Sequence, residues 1–142
     1  VADQTDVIEK VIEVIKTIDL SPFGIRQDAV YELDFPFHDR PPAAGIVVSR
    51  VKEEELSKLN NRLDLLYPVQ VMRVGFTLDN RGGVRRSAWR EAVWRRFTHT
   101  RIGIVGEMKT QARHMEIQLD ATWKTWNLDA SGLRIETLIR KQ

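Results

Sequence analysis

Residues 5 to 18 place Val7, Ile8, Val11, Ile12, Val14, Ile15 and Ile18 on one face at the helical period, with Glu9, Lys10, Glu13 and Lys16 on the rest. The pattern predicts a first helix, capped by Thr5 or Asp6. Valine and isoleucine are weak helix formers, so this helix depends on tertiary packing. Ser21-Pro22-Phe23-Gly24 reads as a turn. The period then drops to two. Val30-Tyr31-Glu32-Leu33-Asp34-Phe35 predicts a half-buried strand that Pro36 ends, and Asp39-Arg40-Pro41-Pro42 predicts a rigid loop. Gly45 to Ser49 is a short β-branched strand. The charged, leucine-spaced stretch 51–66 fits a loop or one short helix. Pro68 opens a strand in which Val69, Val71, Val74 and Phe76 alternate imperfectly with Gln70, Arg73 and Thr77.

Asp79-Asn80-Arg81-Gly82-Gly83 predicts a loop, followed by a second helix from Val84 or Ser87 to Thr98, with Ser87 a candidate cap. Its inner face is Ala88 or Trp89, Ala92, Val93 and Phe97, and Arg86, Arg90 and Trp94 form a stripe beside it. Ile102 to Val105, Met115 to Leu119 and Leu133 to Ile139 read as strands, the last two antiparallel. The order predicts an α+β domain, a mostly antiparallel sheet with two main helices packed on one face. No internal repeat or low-complexity segment interrupts it.

The chain has 142 residues, a length for one domain (1–142) with a sizeable core. The net charge is +2, so attraction to polyanions must come from local clustering. That clustering exists. Arg81, Arg85, Arg86, Arg90, Arg95, Arg96 and Arg101 surround the second helix together with Trp89 and Trp94. Arginine and tryptophan are enriched at interface hot spots, and arginines with stacking aromatics also suit nucleic acid. A solvated basic face with both tryptophans in the core is the third reading. The segment matches no helix-turn-helix or RNA-binding fingerprint.

There is no cysteine, which excludes disulfides, thiol catalysis and zinc-thiolate sites and is compatible with a reducing compartment. No apolar run reaches the roughly 18 residues of a membrane span, and the polar, acidic start does not read as a signal peptide. Glu107-Met108-Lys109 after an apolar strand has the form of a metal-nuclease signature, which would need Asp79 or Asp64 as a second ligand; an exposed turn is the plainer reading. His38, His99 and His114 are scattered, with His38-Asp39 in a proline-rich loop. Glu53, Glu54 and Glu55 read as a solvent-facing charged run, and Arg81-Gly82-Gly83-Val84 lacks phosphate-loop spacing. Trp123 and Trp126 either plug the sheet or mark a docking surface. The pattern implies no catalytic set, metal site or cofactor.

Three stretches carry a resemblance: Ala44-Gly45-Ile46-Val47-Val48-Ser49; Leu66-Tyr67-Pro68-Val69-Gln70-Val71; and Trp89-Arg90-Glu91 with Phe97 and Arg101. Together with the element order, the chain resembles the small neck and tail-completion proteins of tailed bacteriophages, tail terminators most of all. The charged segment 51–66 departs from the common pattern of that family. The resemblance implies a non-enzymatic virion subunit, commonly a hexameric ring, that caps the tail tube protein, meets the head-side connector or stopper protein, and lets DNA pass without sequence-specific binding. Its alternatives are a head-to-tail adaptor or stopper and a small nucleic-acid-binding protein. One way to build the ring contact is for Arg81, Arg85, Arg86, Arg90, Trp94 and Arg95 of one copy to meet Glu53, Glu54 and Glu55 of a neighbour, and an exposed edge strand adding to the neighbour's sheet is another.

Overall fold

The structure is a computed structural model. It describes residues 3–33, 45–59, 62–74, 82–98, 101–116 and 131–141, with the backbone alone at 59, 74, 82–87 and 131. Helix α1 (Gln4–Lys16) is capped by Asp3, not Thr5 or Asp6. The Asp3 carboxylate accepts from the Asp6 N–H at 3.0 Å, and the Asp6 carboxylate accepts from the Asp3 N–H at 2.9 Å. This reciprocal box satisfies two backbone donors that a helix start leaves open. The helix buries Val7, Ile8, Val11, Val14 and Ile15. Its far end is closed by Gln27, whose amide donates to the Lys16 and Ile18 carbonyls and accepts from the Leu20 N–H at 3.1 Å. A 3₁₀ turn (Ser21–Phe23) follows, ending on Gly24 at φ 71°.

Strand β1 (Val30–Glu32) runs parallel to β2 (Gly45–Arg50), which is antiparallel to β4 (Arg62–Val74). The stretch left between loop and helix in the sequence reading is neither. It holds β3 (Glu54–Leu59), antiparallel to the first part of β4. Strands β2 and β3 thus share one edge of β4, separated by Val51–Glu53. Pro68 lies inside β4 instead of opening it. Its ladder partner is Glu136, while on the other edge the β3 pairing stops at Leu66 and β2 pairing starts at Val69. A residue without an N–H is tolerated in a central strand where one edge has no ladder to break.

Helix α2 (Gly82–Thr98) begins at Gly82, so Ser87 is an interior residue and not the cap. The expected strand at Ile102–Val105 is a loop, and β5 (Glu107–Glu116) starts where an exposed turn was the plainer expectation. Strand β6 (Ser131–Lys141) lies between β4 and β5, antiparallel to both. The sheet order is β1-β2-β4-β6-β5, with β3 beside β4. The fold is α+β, a mixed and mostly antiparallel sheet of six described strands with two helices on one face.

One core joins both helices to that face. Val7, Ile8, Val11 and Ile15 of α1 and Trp89, Val93 and Phe97 of α2 meet Leu65, Tyr67, Val69 and Val71 of β4 and Leu133, Ile135 and Ile139 of β6. The alternate positions of β4 and β6 therefore point to the second face, as strand pleating requires. The expected features at Asp39–Pro42, Asp79–Arg81, His38, His99, Ile117–Leu119, Trp123 and Trp126 lie outside the described residues.

Candidate subunit interface

Helix α2 packs on β5 and β6. Trp89, Val93 and Phe97 stand at i, i+4 and i+8 and are fully buried, which makes them the inner face; Ala88 and Ala92 flank it half-buried. Trp94 takes the next position round the helix. It packs against the edge of the core and stacks on His114 of β5, with ring centroids 5.8 Å apart and 19° between planes. Glu91 approaches the same imidazole at 3.9 Å and pairs with Arg95 at 3.1 Å. Arg95 and Arg96 lie in the last turn, where positive charge complements the helix dipole. The Arg90 Nε is buried without a hydrogen-bond partner among the described residues, so this side chain runs its stem along the protein before reaching water.

The sequence-predicted interface residues fall into three groups. Arg90, Trp94 and Arg95 are on α2 as expected, although Trp94 is half-buried and Arg95 already holds Glu91. Arg85 and Arg86 are in α2, where only the backbone is described, and Arg81 lies outside the described residues. Glu53, Glu54 and Glu55 stand at the opposite edge of the sheet, at or just before β3. Glu54 is taken by Arg134 of its own chain at 2.7 Å, whereas Glu53 and Glu55 are exposed and form no ion pair among the described residues.

The second face of the sheet carries chemistry that sequence reasoning missed. Register puts Ser49, Gln70, Arg134 and Arg113 in one row across β2, β4, β6 and β5. Glu136 sits one row on, with its side chain 6% exposed, and reaches Arg113 at 2.6 Å and Arg134 at 3.4 Å. The next row, Glu54, Leu66, Leu138 and Lys109, spans β3, β4, β6 and β5. Leu56, Leu66 and Leu138, with Lys109, Gln111 and Glu136, line an open groove of about 260 Å³ over this row. The signal available in the sequence was alternation in Leu133–Ile139, whose even positions Arg134, Glu136 and Leu138 had to face away from the core.

Glu107 does not have the surroundings of a metal ligand. Its carboxylate accepts from the N–H groups of Ile102 (3.2 Å), Gly103 (2.8 Å) and Ile104 (3.2 Å), and from the Thr110 hydroxyl. Partial burial raises its pKa, but these four donors together outweigh it and hold the group below the usual glutamate range. Of the two carboxylates considered as second ligand, Asp79 lies outside the described residues and Asp64 faces the other side of the sheet. Arg140 at 2.9 Å, with help from the Ser57 hydroxyl, holds it below the usual carboxylate range. No group of three or more metal-ligating side chains occurs among the described residues, and no helix there is long and apolar enough to cross a membrane. No family model matches the chain, and no curated protein matches it.

Proposed function

We propose that the protein is a structural subunit that joins to copies of itself to form a ring in the neck or tail of a tailed bacteriophage, in the manner of a tail terminator. The observation that carries this reading is a pair of unlike sheet edges. At one edge β5 pairs with β6 on its inner side, has no strand on its outer side among the described residues, and lies under the basic helix α2. At the other edge Glu53 and Glu55 are exposed on the helix side of the sheet, and Leu56 of β3 borders an apolar groove on the opposite face. Subunits that close into a ring need two unlike, complementary surfaces. Among the described residues, the two carboxylates considered for metal chemistry are engaged in building the fold, Glu107 in a loop and Asp64 in an ion pair.

Base stacking has little support on α2, because Trp89 is fully buried and Trp94 is covered on one side by His114. That favours an assembly role over a nucleic-acid-binding one for the same helix. On this reading the tail tube protein and the head-side connector or stopper are the neighbours above and below, and DNA passes through the ring without being read. The test is the mass of the purified protein by light scattering across concentration and salt. A discrete mass near six subunits that falls as salt rises supports a closed ring held partly by charge. A monomer at every concentration overturns it.

A further inference from the structure

The open groove on the second face has an irregular strand at each wall. In β3 the ladder with β4 shifts between Glu55 and Ser57, which leaves Leu56 without a ladder partner and 53% exposed. In β5 the ladder with β6 shifts between Glu107 and Lys109, and this turns the Lys109 side chain toward the groove. Between the two walls Leu66 and Leu138, direct partners on β4 and β6, form the floor. Bulges re-aim side chains and are enriched beside functional sites. Here one stands on either side of a single groove.

The charges around it leave one sign open. Among the described residues, each carboxylate on this face is held by an arginine: Glu54 by Arg134 at 2.7 Å, Glu136 by Arg113 at 2.6 Å and Arg134 at 3.4 Å, and Asp64 by Arg140 at 2.9 Å. Lys109 is exposed and forms no ion pair there, and the side-chain amide of Gln111 beside it makes no hydrogen bond. An apolar floor with an unengaged ammonium and amide at one wall matches an aliphatic group that carries a carboxylate. At about 260 Å³ and open to solvent, the groove is smaller than the roughly 300–1,000 Å³ pockets that enclose free small molecules. Its size suits a side chain anchored by a backbone of its own.

We propose that this groove docks a segment of a partner protein in which an aliphatic side chain stands next to a carboxylate. The aliphatic group lies on Leu56, Leu66 and Leu138, and the carboxylate meets the Lys109 ammonium, with the Gln111 amide as a second donor. The inference does not rest on the ring reading above, since the groove is complete within one chain. Its two halves can be changed separately. Lys109→Glu reverses the charge and keeps the floor; Leu56→Ser removes one apolar wall and keeps the charge. Both positions are exposed, so the circular dichroism of each variant should match the wild type.

The leucine-methyl NMR spectrum reads Leu56, Leu66 and Leu138 directly, whatever the mass of the assembly. The probes are three capped tripeptides, Leu-Leu-Glu, Leu-Leu-Gln and Leu-Leu-Lys. The expected result is a shift of these three leucines, with Leu-Leu-Glu binding more tightly than Leu-Leu-Gln by up to about fivefold, the scale of an exposed ion pair, and Leu-Leu-Lys binding least. Lys109→Glu inverts that order, and Leu56→Ser weakens all three peptides. If no groove leucine shifts, the site is overturned. If the three peptides bind equally, or their order survives Lys109→Glu, the carboxylate assignment is overturned. Octanoate binding more tightly than Leu-Leu-Glu overturns the partner segment in favour of a free amphiphile. Methyl shifts that follow protein concentration without peptide overturn it in favour of a second copy.

Discussion

Glu107 and Lys109 are two residues apart on one strand, yet they point to opposite faces of the sheet. In a regular strand their side chains would share a face. Here the register shifts between them, so Glu107 lies opposite the buried Ile139 and Lys109 opposite Leu138 of the groove. The extra residue of a bulge reverses the alternation. A carboxylate and an ammonium on opposite sides of a sheet cannot cooperate on one metal-bound water. The same shift frees Glu107 for the loop that carries Val105 and leaves Lys109 at the β5 wall of the groove.

Glu107 therefore acts on stability, with a sign that pH reveals. Its pKa is lowered in the folded protein, so it contributes stability above the ordinary glutamate range and loses that contribution as pH falls through that range toward the lowered folded value. Glu107→Ala strands the N–H groups of Ile102, Gly103 and Ile104, and should cost about 1–3 kcal/mol at neutral pH. Urea unfolding at neutral and acid pH checks both points. The gap between wild type and Glu107→Ala should narrow on acidification. A gap that is constant or wider at low pH would reject the loop-clamp role.

The two tryptophans of α2 should separate cleanly. Trp89 is fully buried, and Trp89→Ala should cost about 3–5 kcal/mol. The edge stack of Trp94 on His114 adds only about 0.5–1.5 kcal/mol to what its partial burial gives, so Trp94→Ala should cost clearly less than Trp89→Ala. Single-stranded DNA should leave the tryptophan fluorescence of the wild type unchanged at moderate salt. Quenching that Trp94→Ala abolishes would favour the nucleic-acid reading instead.

What the sequence disclosed follows what each element buries. Helix α1 was legible because one face is wholly in the core and the other wholly in water, which leaves the period of Val7, Val11, Val14 and Ile15 intact. The arginine helix was legible for the same reason at Trp89, Val93 and Phe97. Strand β3 was not, because residues 54–58 are exposed on both faces and no alternation is imposed on them. Its one signal was the two-residue Asn60-Asn61 link between Leu59 and Arg62, which pair directly. Ile102–Val105 looked like a strand by composition, but Gly103 and Gly106 at positive φ bend it into a loop that a carboxylate further along the chain holds. The candidate interface was half legible. Its charges were visible as runs, whereas the groove depends on bulges and on register.

Gly45 marks a close approach between β2 and the start of β1. A Cβ there would sit 2.4 Å from the Ala29 carbonyl oxygen and 3.0 Å from the Ala29 and Tyr31 side chains. That carbonyl also accepts the Ile46 N–H at 2.9 Å, so it cannot retreat without breaking the parallel pairing. Gly45→Ala should destabilise by about 1–3 kcal/mol, as overpacking does. By contrast nothing lies within 4 Å of a Cβ at Gly103, so Gly103→Ala should cost about 1–2 kcal/mol, from the left-handed backbone alone. Thermal unfolding of the two variants distinguishes the causes. Hydrogen exchange in Gly45→Ala should rise at β1 and β2, and unchanged protection there would contradict the packing argument.

The last test concerns Glu136, the buried charge of the second face. Register sets Arg113 and Arg134 directly opposite each other, and Glu136 sits within ion-pair distance of both. Arg134 also holds Glu54, so the four side chains form a chain of alternating sign from β3 to β5. Removing the buried member leaves two facing guanidiniums, and Glu136→Ala should cost about 3–5 kcal/mol. Arg113 is 61% exposed, and Arg134 remains beside Glu136 in its absence, so Arg113→Ala should cost no more than about 1 kcal/mol. The double variant should be more stable than the sum of the two losses predicts, because the charge left facing Arg134 is then gone; coupling of about 0.5–3 kcal/mol is the range for side chains in one network. Urea unfolding of all four proteins closes the cycle. A Glu136→Ala protein within about 1 kcal/mol of wild type would mean that the network contributes little, by the measure of exposed ion pairs, and the row would then be better read as a contact surface than as a brace.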